Sequence, residues 1–136
     1  EEERAVSAGF AERLRARGIA VAVVSVGSTP TLHHARSLAG VTEARPGNYV
    51  FHDAFQVAIG SCAPADIAFN VLATVVGHYP EQRKAILNAG ALALSKDAGA
   101  THVDPAIGFG VAMDLEGVAR AQLFALSQEH GQMRWE

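Results

Sequence analysis

Ile19-Ala20-Val21-Ala22-Val23-Val24-Ser25-Val26 is an unbroken apolar run, rich in β-branched residues, that ends in the polar turn Gly27-Ser28-Thr29-Pro30-Thr31. A strand with water on one face alternates apolar and polar residues. This run does not, so it predicts a strand buried on both faces, as in a parallel sheet covered by helices. Upstream, Val6, Phe10 and Leu14 recur at i, i+4 among Glu and Arg across residues 2–17. That spacing predicts a surface helix with one buried stripe, closed by Gly18. Helix, tight turn and buried strand in this order fit an α/β barrel or a doubly wound sheet.

Further along, Val41–Arg45 leads into Pro46-Gly47-Asn48 and Tyr49-Val50-Phe51, and Asp53 is placed to N-cap a short helix through about Ile59. Gly60-Ser61-Cys62-Ala63-Pro64 reads as a hinge, which divides the chain into domains 1–60 and 61–136. Beyond it the pattern changes. Ile67–Tyr79 and Ala85–Leu94 are strand-like and joined by Pro80-Glu81-Gln82-Arg83; residues 97–117 are a long loop or a series of turns, and Ala121–Leu126 is the last strand. With no further helix–strand alternation, the second half is expected to be mostly antiparallel β.

Composition sets the outer limits. Hydrophobic residues make up 49% and charged residues 18%, the balance of a folded domain. A net charge of −3, with eleven basic residues scattered, argues against a nucleic-acid surface. No apolar run approaches the roughly 20 residues of a membrane span, and the start Glu1-Glu2-Glu3 is the opposite of a signal peptide's basic region. Cys62 stands alone, so no internal disulfide forms and a reducing cytoplasm is the expected location. The chain opens directly in a helical pattern and stops at Gln132-Met133-Arg134-Trp135-Glu136, so a fragment of something longer is expected.

Two turns carry chemistry. Gly27-Ser28-Thr29 follows a buried strand, and glycine with two hydroxyls and adjacent N–H groups can cradle an anion. Arg45-Pro46-Gly47-Asn48-Tyr49 places a permanent charge beside a second turn of the same kind. A cluster of the first kind is by itself more often an ordinary ST-turn than a ligand site, and the second has a type II turn as its alternative; the two together are more suggestive than either alone. From the residues alone the ligand is a phosphate or a carboxylate. His33, His34, His78 and His102 share no ligand spacing, Cys62 reads as a small hydrophobe, and Lys84 and Lys96 as flanking charges. Glu129-His130 sets an acid beside a base, which surface polarity explains.

Five ordered motifs go further. Ser25–Thr31, Thr42–Phe51, Val71–Val75, Ala89–Asp97 and Ser127–Gly131 together resemble the eukaryotic-type D-serine dehydratase family, relatives of D-threonine aldolase and D-threo-3-hydroxyaspartate dehydratase, from about Val21 onward. The resemblance implies a fold-type III enzyme: an alanine-racemase-like α/β barrel holding pyridoxal 5′-phosphate, followed by a β domain. Gly27, Ser28, Thr29 and Thr31 would bind the cofactor phosphate from one loop, and Gly47, Asn48 and Tyr49 from the next. The implied reaction is zinc-assisted β-elimination, D-serine giving pyruvate and ammonia. Implied partners are a small D-amino acid substrate and a second copy in a homodimer, with no nucleic acid and no membrane.

The same resemblance puts the Schiff-base lysine upstream of residue 1 and a His-x-Cys zinc motif past residue 136. No catalytic or metal role therefore falls on Lys96 or His130. Asn88 departs from the pattern, which has an acidic residue before Ala-Gly. Ser127-Gln128-Glu129 favours the dehydratase over the aldolase branch. The competing readings are the aldolase or hydroxyaspartate dehydratase of the same family, and a non-catalytic cofactor-binding or dimerisation module.

Overall fold

The computed structural model describes residues 1–136. They form two compact units, Glu1–Ala68 and Phe69–Glu136. The expected hinge at Gly60–Pro64 lies within the first, just ahead of a 3₁₀ turn at Pro64–Asp66.

The first unit opens with helix α1 (Glu2–Arg15), which carries Glu2 and Glu3 in its first turn and Arg13 and Arg15 in its last, each matched to the helix dipole. The Gly18 N–H donates to Arg15 O and the Ile19 N–H to Leu14 O, turning the chain back toward strand β1 (Ser25–Gly27). Strand β1 pairs in parallel with β2 (Glu43–Arg45), in the register Ser25↔Glu43, Val26↔Ala44, Gly27↔Arg45. Between them lies helix α2 (Thr29–His33). A turn was expected there. A helix forms because the Ser28 side chain caps it, accepting from the Thr31 N–H, and because Pro30 stands in the first turn, where its missing N–H costs nothing. Helix α3 (Ala54–Ala58) is capped by Asp53, as expected: its carboxylate accepts from the Gln56 N–H at 2.8 Å.

The core of this unit is small. Ala11, Val24 and Val26 are buried, but Val6 and Phe10 of the expected stripe are 62% and 53% exposed. Ala11, one position further round the helix than Phe10, is the α1 residue that is buried. The apolar run at 19–26 is likewise laddered only over Ser25–Gly27, and Ile19 and Val23 are exposed. The reason is the same in both cases. A strand buried on both faces needs neighbours on both edges and cover on both sides, and β1 has a single paired neighbour within this chain.

The second unit is a five-stranded antiparallel sheet in the order β3-β4-β7-β6-β5. Its strands are β3 (Val75–Tyr79), β4 (Lys84–Leu87), β5 (Gly110–Met113), β6 (Ala119–Leu126) and β7 (Gly131–Arg134). The antiparallel class is as expected, but four elements differ. Only the end of Ile67–Tyr79 is strand. The segment expected to continue as strand to Leu94 leaves the sheet at Asn88, and Ala91–Leu94 forms helix α4, in keeping with the helix preference of an Ala-Leu repeat that lacks β-branched residues. Strand β5 lies inside the stretch expected to be loop.

The largest difference is β7. Ala121–Leu126 was expected to be the last strand, yet residues beyond it form the central one, paired with β4 on one side and β6 on the other. Trp135 is held as well: its backbone N–H donates to Arg83 O at 3.3 Å and its ring lies 5.5 Å from that of His78. Leu87, Leu123 and Leu126 form the core, with Leu94, Phe109 and Met133 packed against them.

Two glycines set how closely the backbone closes on this core. A Cβ on Gly90 would overlap the His130 backbone nitrogen, and one on Gly131 would sit 2.7 Å from Ala89 O. That approach lets the Ala91 N–H donate to Ser127 O at 2.9 Å and the Leu92 N–H to Gln128 O at 3.1 Å, docking α4 on the Ser127–His130 turn. Gly90→Ala is expected to destabilise the protein by about 1–3 kcal/mol, the usual cost of overpacking. The readout is the urea midpoint, which an unimportant contact would leave unmoved.

Candidate functional site

Parallel pairing brings the two glycine turns together. Because Gly27 and Arg45 are opposite one another in the register, the loops after β1 and β2 leave the sheet at the same end. Branching loops at the C-terminal ends of parallel strands are where α/β proteins hold their ligands. A direct bond joins the two: the Tyr49 N–H donates to Thr29 Oγ1 at 3.0 Å, and Thr29 is buried. Among the residues expected to bind phosphate, Gly27, Ser28, Thr29, Thr31 and Tyr49 are linked by this geometry. Asn48 is turned elsewhere, its Nδ2 donating to Asp53 Oδ2 at 2.6 Å. Nothing lies within 4 Å of the point where a Gly47 side chain would begin.

The first loop is strained. Ser28 has φ 107° and ψ 150°, a region that residues with a side chain rarely enter and that costs about 1–3 kcal/mol. Four hydrogen bonds hold it there. Ser28 Oγ accepts from the Thr31 N–H at 3.3 Å and donates to Thr31 Oγ1 at 3.0 Å. Thr31 Oγ1 donates to Glu3 Oε2 at 2.7 Å, and the Gly27 N–H donates to Glu3 Oε1 at 3.1 Å. A carboxylate therefore already sits on two donors of the loop.

A cation stands beside them. A Cβ added to Gly27 would meet the Arg45 guanidinium at 3.2 Å, so glycine is what lets that charge come close. Arg45 Nε donates to Ser25 Oγ at 2.7 Å and lies 3.7 Å from Glu43 Oε1. The Glu3 carboxyl is held below its ordinary value by the Thr31 hydroxyl first, then by the Gly27 N–H, with Arg45 adding to both. The donor set thus selects for negative charge, and hydrogen bonds to an anion are the stronger kind. A phosphate group fits it.

Glu3 is the member that sequence reasoning missed, because Glu1-Glu2-Glu3 was weighed only as an acidic start. The available signal was positional. A helix that packs antiparallel on the strand following it brings its first turn beside that strand's C-terminal end.

Elsewhere the chemistry is sparse. No group of three or more His, Cys, Asp or Glu side chains could hold a metal ion. Burial pushes the Cys62 thiol up, and Asp66 and Asp53 push it further, away from the reactive thiolate. Lys84 Nζ lies over the Tyr79 ring at 5.2 Å. No helix is long and apolar enough to cross a membrane.

A short parallel α/β piece followed by an antiparallel β unit gives the class, α/β plus β of the alanine-racemase-like kind, which the solved structures it matches share. Residues 68–136 match the family model described as "Putative serine dehydratase domain", and the chain belongs to that family. It is 47% identical to the D-threo-3-hydroxyaspartate dehydratase of Delftia sp. strain HT23 over 133 residues, covering 96% of this chain and 35% of that protein. It is 43% identical to the D-serine dehydratase of Dictyostelium discoideum over 106 residues, 75% of this chain and 27% of that protein. The solved structure of the Delftia enzyme matches 97% of the chain with a TM-score of 0.89 at 45% identity, covering 35% of the solved chain. An alanine-racemase-like protein from Idiomarina loihiensis matches 93% of this chain and 34% of its own, at 0.84 and 33%. The chain spans about a third of the length of the relatives it matches.

Two outcomes check the site. Thr29→Val is expected to cost about 1–3 kcal/mol in chemical denaturation by stranding the Tyr49 N–H, whereas Thr29→Ser retains most of the stability; equal losses in the two would contradict the bond. Thr31→Val is expected to move the Glu3 titration, followed by carboxyl NMR, back up toward the ordinary value. Because the folded value is lowered, stability from this contact is present above the ordinary carboxylate range. It is lost as pH falls through the lowered value, so in acid the variant loses less stability than the parent.

Proposed function

We propose that this chain is the phosphate-gripping part of a pyridoxal-phosphate- and zinc-dependent D-serine dehydratase, which converts D-serine to pyruvate and ammonia by β-elimination. The observation that carries the cofactor half of this reading is the joint between the two loops, Tyr49 N–H to Thr29 Oγ1, beside donors that already take a carboxylate. The substrate half rests on family membership. Assignment of residues 1–60 to the cofactor barrel and 61–136 to the β domain belongs to the same proposal.

In this reading the Gly27 N–H and the hydroxyls of Ser28, Thr29 and Thr31 hold the phosphate, with Tyr49 bracing Thr29 through its backbone N–H, Gly47 leaving room for the group and Asn48 closing the second loop. Arg45 offsets its charge. When bound, pyridoxal phosphate supplies an electron sink that makes the α-proton of an amino acid removable. The chain's own contribution is positional. A strained loop pinned at Ser28 and braced through Thr29 fixes one end of the cofactor, and fixed geometry is what makes the chemistry at the other end fast. The residues of this chain supply no ligand set for zinc, so no step is assigned to the metal here. A cysteine-to-alanine variant of a D-threo-3-hydroxyaspartate dehydratase, 45% identical to this chain, has been solved in what is described as the metal-free form, which supports the metal half of the reading.

A second reading is favoured by the comparison itself. The Delftia relative is named for D-threo-3-hydroxyaspartate, and its identity to this chain slightly exceeds that of the Dictyostelium D-serine dehydratase. The full-length protein, supplied with each D-amino acid in turn, separates them. Pyruvate and ammonia from D-serine at the higher kcat/KM support the first reading. A preference for D-threo-3-hydroxyaspartate supports the second, and aldehyde release from D-threonine would overturn both.

A further inference from the structure

Glu3 does something the proposed cofactor site does not require. Its two carboxylate oxygens take the Gly27 N–H at 3.1 Å and the Thr31 hydroxyl at 2.7 Å, two of the donors that a phosphate would use. We infer that Glu3 is a built-in occupant of the anion cradle, one that the cofactor phosphate must displace. The inference rests on the phosphate reading of this loop.

The argument is one of donors and charge. A backbone N–H has one hydrogen, so it cannot serve the Glu3 carboxylate and a phosphate oxygen at full strength together. A carboxylate left in contact with a phosphate dianion would also repel it, and Arg45 is the cation the structure places beside the loop to compensate. Either the carboxylate leaves or the phosphate binds weakly. Leaving is easy: Glu3 is an exposed side chain in the first turn of α1 and needs only to rotate toward water.

Staying has a use when the cofactor is absent. Ser28 sits at φ 107°, a conformation that reverts unless something holds it. Glu3 is the longest-range of the contacts holding the loop, reaching back across 24 and 28 residues of sequence. It keeps the Gly27 N–H and Thr31 hydroxyl aimed at an anion before the anion arrives. The consequence is lowered apparent affinity for phosphate in exchange for a preformed site.

The test uses the full-length protein stripped of cofactor, with inorganic phosphate, pyridoxal phosphate and phosphate-free pyridoxal each titrated by calorimetry. Glu3→Gln and Glu3→Ala are expected to tighten inorganic phosphate and pyridoxal phosphate by about tenfold, the factor for a contact that holds the site about nine-tenths of the time. Pyridoxal binding is expected to stay the same, and melting temperatures show whether both variants fold. If Thr31→Val weakens phosphate while the Glu3 variants leave it unchanged or weaker, the cradle stands and Glu3 is a strut, which overturns the inference. If Thr31→Val has no effect on phosphate, the cradle reading fails and takes the inference with it.

Discussion

The parallel pairing of Ser25–Gly27 with Glu43–Arg45 is the constraint from which the candidate site follows. Three residues of ladder are enough to fix which turn lies beside which. Slipping the register would carry Arg45 away from Gly27 and break the reach from the Tyr49 N–H to Thr29. The pairing also explains why a strained Ser28 is tolerated. Its loop is anchored at one end by β1, at the other by its own capped helix, and from the side by Glu3. The small core beneath, built on Ala11, Val24 and Val26, gives the ladder something to rest on.

The second unit works by a different rule. Its sheet is not threaded in sequence order, because β7, last in the chain, lies between β4 and β6. The sheet is therefore complete only when the final residues are in place, and the Gly90–His130 approach ties α4 to the turn that launches β7. Side chains of this unit offer no cluster suited to a metal.

How much of this could be read in advance depended on whether the signal was local. The Asp53 cap and the antiparallel character of the second half each rest on residues close together in sequence, and each was legible. Strand β7 was not. Gln132-Met133-Arg134 lacks β-branched residues and alternation, and it is a strand because β4 and β6 flank it. Helix α4 was hidden for the opposite reason: Ala-Leu-Ala-Leu is apolar enough to pass for a strand until Gly90 turns it out of the sheet. The Val6–Phe10 stripe was expected to be buried and is exposed within this chain. Glu3 was invisible because its partners lie 24 and 28 residues away, a distance no periodicity spans.

The resemblance implies a phosphate at these turns; the structure shows two neutral donors, the Gly27 N–H and the Thr31 hydroxyl, on the Glu3 carboxylate, with the Arg45 guanidinium beside Gly27. The most direct measurement is a crystal structure of the intact protein with pyridoxal phosphate bound. The account predicts the phosphate within hydrogen-bond distance of the Gly27 N–H and the Thr31 hydroxyl, with the Gly47–Tyr49 loop on its other side. A phosphate held by other residues, with both glycine turns facing solvent, would contradict it.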